Sequence, residues 1–216
     1  MAKRIFDLVF SYLGLLFSFP LWLVIIWGIK ITDGGPVFYL QERVGKGGKI
    51  FRIMKFRSMV RDAEKETGAV WAKEGDPRVT PIGRILRATA MDELPQLISI
   101  ARGDMSFVGP RPERPELMRE FTQEFPDFNR RLEVVPGLTG IAQIFGSAYL
   151  DFREKLKYDL WYVRNRGFFL DLLLVIISFL ITFKAKWEIG SKKLIPLGKR
   201  LKQRLEKDIP AKGILT

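Results

Sequence analysis

Hydrophobic positions divide this chain into stretches of very different character. From Leu8 to Ile29 there are 22 residues without a charge, flanked by Lys3, Arg4 and Asp7 on one side and Lys30 on the other. At ~1.5 Å of rise per residue, such a helix is long enough to cross a hydrocarbon core of ~30 Å. The run is apolar on every side and carries Trp22 and Trp27, unlike the one-sided helix of a soluble core. It is also too long for a secretory signal, and Lys30-Ile31-Thr32-Asp33 follows it instead of a small-residue cleavage site. Pro20 sits in its middle. The proline ring presses on the carbonyl of Leu16 and leaves that group unpaired in lipid, with Ser18 near enough to offer its hydroxyl. Such a break fits a kinked spanning helix or a re-entrant helix that returns to the face it entered. Basic residues on both flanks favour the second.

Beyond Gly34-Gly35-Pro36 the pattern changes. Val37 to Val44 and Lys49 to Met59, around Gly45-Lys46-Gly47-Gly48, predict a β-hairpin. On its second strand Phe51, Ile53, Lys55 and Arg57 share a face, so an apolar strip ends in two cations. Arg61 to Thr67 reads as a short polar helix closed by Gly68, residues 69 to 81 as irregular, and Arg84 to Arg87 as the start of another helix. Pro115 opens a helix with Leu117, Phe121 and Phe125 on one side, and Pro126 ends it. Tyr149 to Val163 is amphipathic, with Phe152, Leu156, Leu160 and Val163 in one stripe. Leu172 to Phe183 is apolar but covers only roughly 18 Å, too short to span, so it predicts a core or interfacial helix with Asp171 capping its start. Leu197, Leu201, Leu205 and Ile209 recur every four residues in a tail holding ten Lys/Arg and three Asp/Glu from Lys184 onward. That tail suits a solvated surface helix and docking on anionic headgroups equally. The expected fold is α+β and mainly helical, with a Pro-broken re-entrant membrane helix over residues 1–32, an interfacial domain over 33–183 and a basic tail over 184–216.

Composition narrows the chemistry. Among 216 residues there are 36 Lys+Arg, 24 Asp+Glu, no Cys and no His. Disulfides, thiol chemistry, nitrogen- or sulfur-ligated zinc and His-based triads are excluded. Any metal must sit on oxygen ligands, and acid–base work falls to Asp, Glu, Lys or Tyr. The net charge of +12 points to polyanionic partners.

Three segments could carry a reaction. Asp92-Glu93-Leu94-Pro95 places two carboxylates at a predicted helix start, with Asp92 at the N-cap. This is ordinary capping, or an oxygen-only Mg²⁺ site beside a carboxylate nucleophile where phosphate would be welcome. In Gly109-Pro110-Arg111-Pro112 two prolines fix the backbone around Arg111, whose guanidinium matches phosphate oxygens in pairs. Asp159 falls seven residues after Phe152 and so faces the apolar stripe, where a carboxylate needs a cation, a metal or several hydrogen bonds. Pro136-Gly137-Leu138-Thr139-Gly140 adds a glycine-rich turn whose N–H groups suit an anion.

Taken in order, these segments resemble the bacterial sugar transferase family, the monotopic phosphoglycosyl transferases. The matching pieces are Lys3-Arg4-Ile5-Phe6-Asp7, the Pro-broken helix, Gly35-Pro36-Val37-Phe38, Gln41-Glu42-Arg43-Val44-Gly45, Lys55-Phe56-Arg57-Ser58-Met59, Asp76-Pro77-Arg78-Val79-Thr80, Asp92-Glu93-Leu94-Pro95-Gln96, Gly103-Asp104-Met105-Ser106, Gly109-Pro110-Arg111-Pro112 and Pro136-Gly137-Leu138-Thr139-Gly140. Departures are Ala90-Met91 before the acidic dyad, Ser99 after it, and Leu132 where some relatives carry His.

The resemblance implies an enzyme that moves a phosphosugar from a UDP-sugar to a polyprenyl phosphate, usually undecaprenyl phosphate, and releases UMP. Asp92 would attack the β-phosphorus and hold the phosphosugar covalently, and Glu93, with Asp92, would hold Mg²⁺. By motif and charge, Lys55, Arg57, Arg78 and Arg111 are extended to phosphate and uridine contacts, and Asp159 to the same substrate site. Family members keep the re-entrant helix on the cytoplasmic face of the bacterial inner membrane, in contact with anionic lipids, and a homodimer is compatible with this reading. The sugar and the pathway are not encoded in the motifs. A rival is a non-enzymatic, membrane-anchored basic protein that binds nucleic acid or an assembly complex, but no aromatic-interleaved basic stripe or nucleic-acid motif supports it.

Overall fold

The computed structural model describes residues 1–65, 75–145, 152–183, 201–203, 205 and 207–208. Its first element, α1, is a helix over Ala2–Asp33, closed by Gly34 in the left-handed region (φ 64°), whose N–H donates to the Lys30 carbonyl. Pro20 lies inside it, and the helix continues on both sides. The Ser18 hydroxyl reaches the Leu15 carbonyl at 3.5 Å, one residue from the expected Leu16, and accepts from Trp22 Nε1 at 3.0 Å. Among the described residues α1 is the one helix long and apolar enough to cross a membrane.

Both ends of α1 are bound to the rest of the molecule. Lys3 pairs with Asp171 at 2.5 Å and donates to the Val108 carbonyl, Arg4 donates to the carbonyls of Ile100 and Ala101, and Asp7 accepts from Ser106 and the Phe107 N–H. At the other end Ile25 and Ile29 are buried against Phe56 and Leu86, and Asp33 meets Arg57. Between them Leu16, Phe17 and Phe19 stand exposed.

The predicted hairpin is present as β1 (Phe38–Val44) and β2 (Ile50–Phe56), with Phe38 opposite Phe56 and Val44 opposite Ile50. Phe51 and Ile53 are buried with Leu97, Ile100 and Met105. Strand β2 stops three residues short of the expected Met59, and one further rung follows it, the Arg57 N–H donating to the Val37 carbonyl. Arg61 to Lys65 forms turns and not a helix, with Asp62 at φ 57°; the rest of that predicted helix lies outside the described residues. Helix α2 (Pro81–Ala88) starts earlier than expected because the Thr80 hydroxyl caps it, accepting from the Gly83 N–H at 3.0 Å. A 3₁₀ turn over Met91–Gln96 leads into α3 (Leu97–Arg102), which packs on α1.

Two short strands that the hydrophobic pattern did not reveal, β3 (Ser106–Val108) and β4 (Gly137–Thr139), pair in parallel. Their crossover holds α4 (Pro115–Glu124) and a 3₁₀ segment over Pro126–Glu133. The core of the glycine-rich 136–140 segment, Gly137–Thr139, is therefore a strand and not a turn, and its Gly137 N–H donates to the Pro110 carbonyl and not to an anion. Next come α5 (Ile141–Phe145), α6 (Phe152–Asn165) and α7 (Phe168–Phe183). On α6 the predicted stripe holds for Leu156, Leu160 and Val163, all buried. Asp171 does not cap α7, because its carboxylate is taken by Lys3 and by the Tyr162 hydroxyl. In the tail, Leu201 and Leu205 are buried against the core with Leu174 and Ile177, so at these positions the apolar stripe serves the core and not a lipid surface. Leu197 and Ile209 lie outside the described residues.

Candidate active site

Lys55, the last charged residue of β2, and the 91–96 turn face each other across one open cleft. The turn enters from Ala90, which adopts the left-handed conformation at φ 54° and occupies the cap position expected for Asp92. A non-glycine residue there stores strain. Pro95 lies within the turn, so the chain winds as a tight 3₁₀ segment before α3 and sets Asp92 and Glu93 in its first turn. The cleft has a volume of about 1570 Å³ and is lined by both carboxylates and by Lys55, Arg57, Arg111 and Asp159, among others.

The two carboxylates have unequal surroundings. Glu93 accepts from Lys55 Nζ at 2.6 Å and from the Arg111 guanidinium. Burial opposes its charge, but Arg111 and Lys55 hold its carboxyl well below the usual range. Arg111 is raised in turn by Glu93, and burial lowers Lys55. Asp92 is 8% exposed and accepts no side-chain hydrogen bond among the described residues. Burial, and then the charge on Glu93, push it up to about 6. Glu93 is the neutralised member, and Asp92 is the carboxylate left available to a ligand.

The other predicted site residues fall in different places. Arg57 lines the cleft, but its guanidinium turns toward the foot of α1, 2.5 Å from Asp33, with none of its nitrogens in a hydrogen bond of ordinary geometry. Its neighbour there is Gly35, where a Cβ would overlap the guanidinium. Arg78 lies outside the cleft lining and is held by Asp76, at 2.9 and 2.6 Å, and by the Ala63 carbonyl. Asp159 is buried and accepts from Arg131 at 2.6 Å, the cation that its place in an apolar stripe demanded; burial pushes it up to about 6 despite that partner.

Arg43, Glu113 and Arg131, which also line the cleft, were not singled out from the sequence. The usable signal was the two-residue period of β1. Tyr39, Gln41 and Arg43 share one face, stand opposite Lys55, Ile53 and Phe51, and all line the cleft.

No group of three or more acidic side chains gathers among the described residues, so a metal cage built by protein alone is not seen there. Mg²⁺ commonly takes one or two carboxylates together with substrate phosphates. Asp92, without a side-chain hydrogen bond, fits such a shared ion. Glu93 fits it only in competition with Lys55 and Arg111.

The chain is similar to several known proteins. An Aeromonas hydrophila UDP-N-acetylgalactosamine-undecaprenyl-phosphate N-acetylgalactosaminephosphotransferase is 40% identical over 176 residues, covering 80% of this chain and 41% of the relative. A Salmonella typhimurium undecaprenyl-phosphate galactose phosphotransferase is 37% identical over 187 residues, covering 80% and 38%. The exopolysaccharide production protein ExoY of Rhizobium meliloti is 38% identical over 189 residues, covering 81% and 82%. The chain thus spans about two fifths of the length of the first two relatives and most of the third. Residues 1–185 match the bacterial sugar transferase family, and the chain belongs to it.

Proposed function

We propose that this protein transfers a phosphosugar from a UDP-sugar to undecaprenyl phosphate, with release of UMP, as the first membrane step in building a glycoconjugate or exopolysaccharide. The observation that carries the reading is the asymmetric dyad. Asp92 is a cleft carboxylate with no side-chain hydrogen bond, beside a Glu93 already matched by Lys55 and Arg111. The names of the relatives support a phosphosugar donor and an undecaprenyl phosphate acceptor.

In the first half-reaction an Asp92 oxygen attacks the β-phosphorus of the donor. The bond from that phosphorus to the bridging oxygen breaks, UMP leaves, and an aspartyl phosphosugar remains. In the second, an oxygen of undecaprenyl phosphate attacks the same phosphorus, the bond to Asp92 breaks, and the free carboxylate returns. A covalent intermediate lets one cleft serve two bulky substrates in turn. Lys55 and Arg111 meet the donor's phosphate charge, and Arg57 serves the phosphate that arrives beside α1. Arg78, bonded to Asp76, acts at most on the cleft's outer wall. Mg²⁺ held by Asp92 and Glu93 would offset the diphosphate's charge.

The membrane reading rests on α1. A helix that crosses a bilayer separates its ends by ~30 Å of hydrocarbon. Here Lys3 and Asp33, at opposite ends, are both ion-paired to the same polar body, which supports a re-entrant helix that enters and leaves at one face. That face is the cytoplasmic one, where UDP-sugars are made and where flanking cations meet anionic lipid.

The test is UMP release by the detergent-solubilised protein with Mg²⁺, undecaprenyl phosphate and a panel of UDP-sugars. Release with at least one sugar is expected, and Asp92→Asn should lower it by at least about 10⁴-fold while the protein stays folded. Retained turnover in that variant would remove Asp92 as nucleophile. Intersecting initial-rate lines, where ping-pong kinetics gives parallel ones, would remove the covalent step.

A further inference from the structure

The segment that carries Arg111 is secured in an unusual way. Pro110 and Pro112 have no N–H, so the turn cannot fasten itself through those donors. Its carbonyls are held from outside instead. Pro110 O accepts from the Gly137 N–H at 2.9 Å and Glu113 O from the Val44 N–H at 2.9 Å. The two carbonyls between them accept from guanidinium groups: Arg111 O from Arg131 Nη2 at 2.8 Å, and Pro112 O from Arg43 Nη1 at 2.9 Å. Four consecutive carbonyls are thus tied, two by backbone and two by side chains.

Both guanidinium groups are anchored in turn. Arg131, 6% exposed, donates through the same Nη2 to Asp159 at 2.6 Å, lies 3.7 Å from Glu113, and stacks on Phe128 at 4.6 Å. Arg43 is bonded to Gln41 and lies 4.0 Å from Glu113. Neither guanidinium points to Asp92 or Glu93. Their contacts run to the backbone from which the Arg111 side chain extends to Glu93.

We propose that Arg131 and Arg43 are positioning residues that splint the 110–113 backbone and so keep the Arg111 guanidinium on Glu93, and that Asp159 acts by holding Arg131 and not by touching substrate. This deepens the phosphosugar-transfer reading and rests on it for the activity readout alone. Lysine does not replace arginine here, because a single ammonium has neither the second nitrogen that faces Glu113 nor the planar group that stacks on Phe128.

The test is a double-mutant cycle on the full chain, with hydrogen exchange beside it. Arg131→Lys is expected to lower kcat/KM by about 10²-fold, the scale of a 1 Å misplacement near the chemistry. In an Arg111→Lys background the same change should cost less than about threefold, because the group it positions is already gone. Asp159→Asn should follow the same non-additive pattern. The Gly137 and Val44 amides, which donate into the splinted turn, should exchange at least tenfold faster in Arg131→Lys.

Multiplicative losses in the cycle would place Arg131 or Asp159 directly on substrate and overturn the proposal, as would unchanged exchange at both amides. If Arg131→Lys does not fold, Arg43→Lys, on the other carbonyl, carries the same two expectations. Exchange needs no turnover. A wild-type protein without transferase activity but with the expected exchange response would defeat the transfer reading and leave the splint standing. Active protein with additive losses defeats only the splint.

Discussion

Two clusters of acids and bases lie along one cleft and have opposite character. Around Asp159 and Glu113 the guanidinium groups of Arg131 and Arg43 are shared out, and Asp159 has a bonded partner within 2.6 Å. Around Asp92 and Glu93 the cations Lys55 and Arg111 both bond Glu93, while Arg87 acts on Asp92 through its charge. The difference teaches where reactivity is kept. A buried carboxylate with a matched partner is structure, whereas one left beside a matched neighbour is available to react or to bind a cation.

Metal removal should separate the clusters most sharply. Chelation with EDTA is expected to lower turnover by about 10³-fold while the melting temperature moves by less than about 1 °C, since the Asp159 cluster is satisfied without a metal. A large fall in melting temperature would mean that the ion is structural and would erase the contrast. Next in size is the stability effect of each carboxylate. Asp159→Ala leaves Arg131 buried without its partner and should destabilise by about 3–5 kcal/mol in urea unfolding. Asp92→Asn relieves a buried charge and should cost nothing or stabilise slightly. Equal costs would show that both acids are structural.

The smallest effect is on pH. Asp92 lies above its ordinary range because burial and Glu93 disfavour its charge, and the proposed attack needs its carboxylate form. The reactive fraction therefore falls as pH drops below about 6, so single-turnover rates should decline about tenfold per unit there and level off above it. A rate flat from pH 4.5 to 7.5 would contradict the raised Asp92.

Where local chemistry dictates structure, the sequence was legible. The presence of α1, the hairpin and the stripe of α6 follow from local hydrophobic pattern and turn residues, and Asp159 announced its need for a cation by standing in an apolar stripe. Arg131 could not be identified as that cation, since the pair joins positions 28 apart in sequence and nothing local encodes it. Strands β3 and β4 escaped for a related reason. Three residues each carry too little pattern, and parallel pairing depends on a crossover whose path is set by packing. The expected cap at Asp92 failed because Ala90 takes a conformation that its residue type disfavours, a choice made by the surrounding fold and not by the chain.

The attachment of α1 at both ends bears on how such a protein is made. In the proposed re-entrant arrangement neither Lys3 nor Asp33 has to pass through hydrocarbon, because both ends are tied to the same body. No hydrophilic stretch among the described residues then needs translocating, and the helix can be seated by the docking of an already folded body. The partners of Lys3 and Arg4 lie between Ile100 and Asp171. The anchors of Lys3 and Arg4 thus lie 96 to 168 residues further along the chain and are synthesised well after the helix itself. Until then its exposed phenylalanines are a liability that a chaperone or the bilayer surface must shelter.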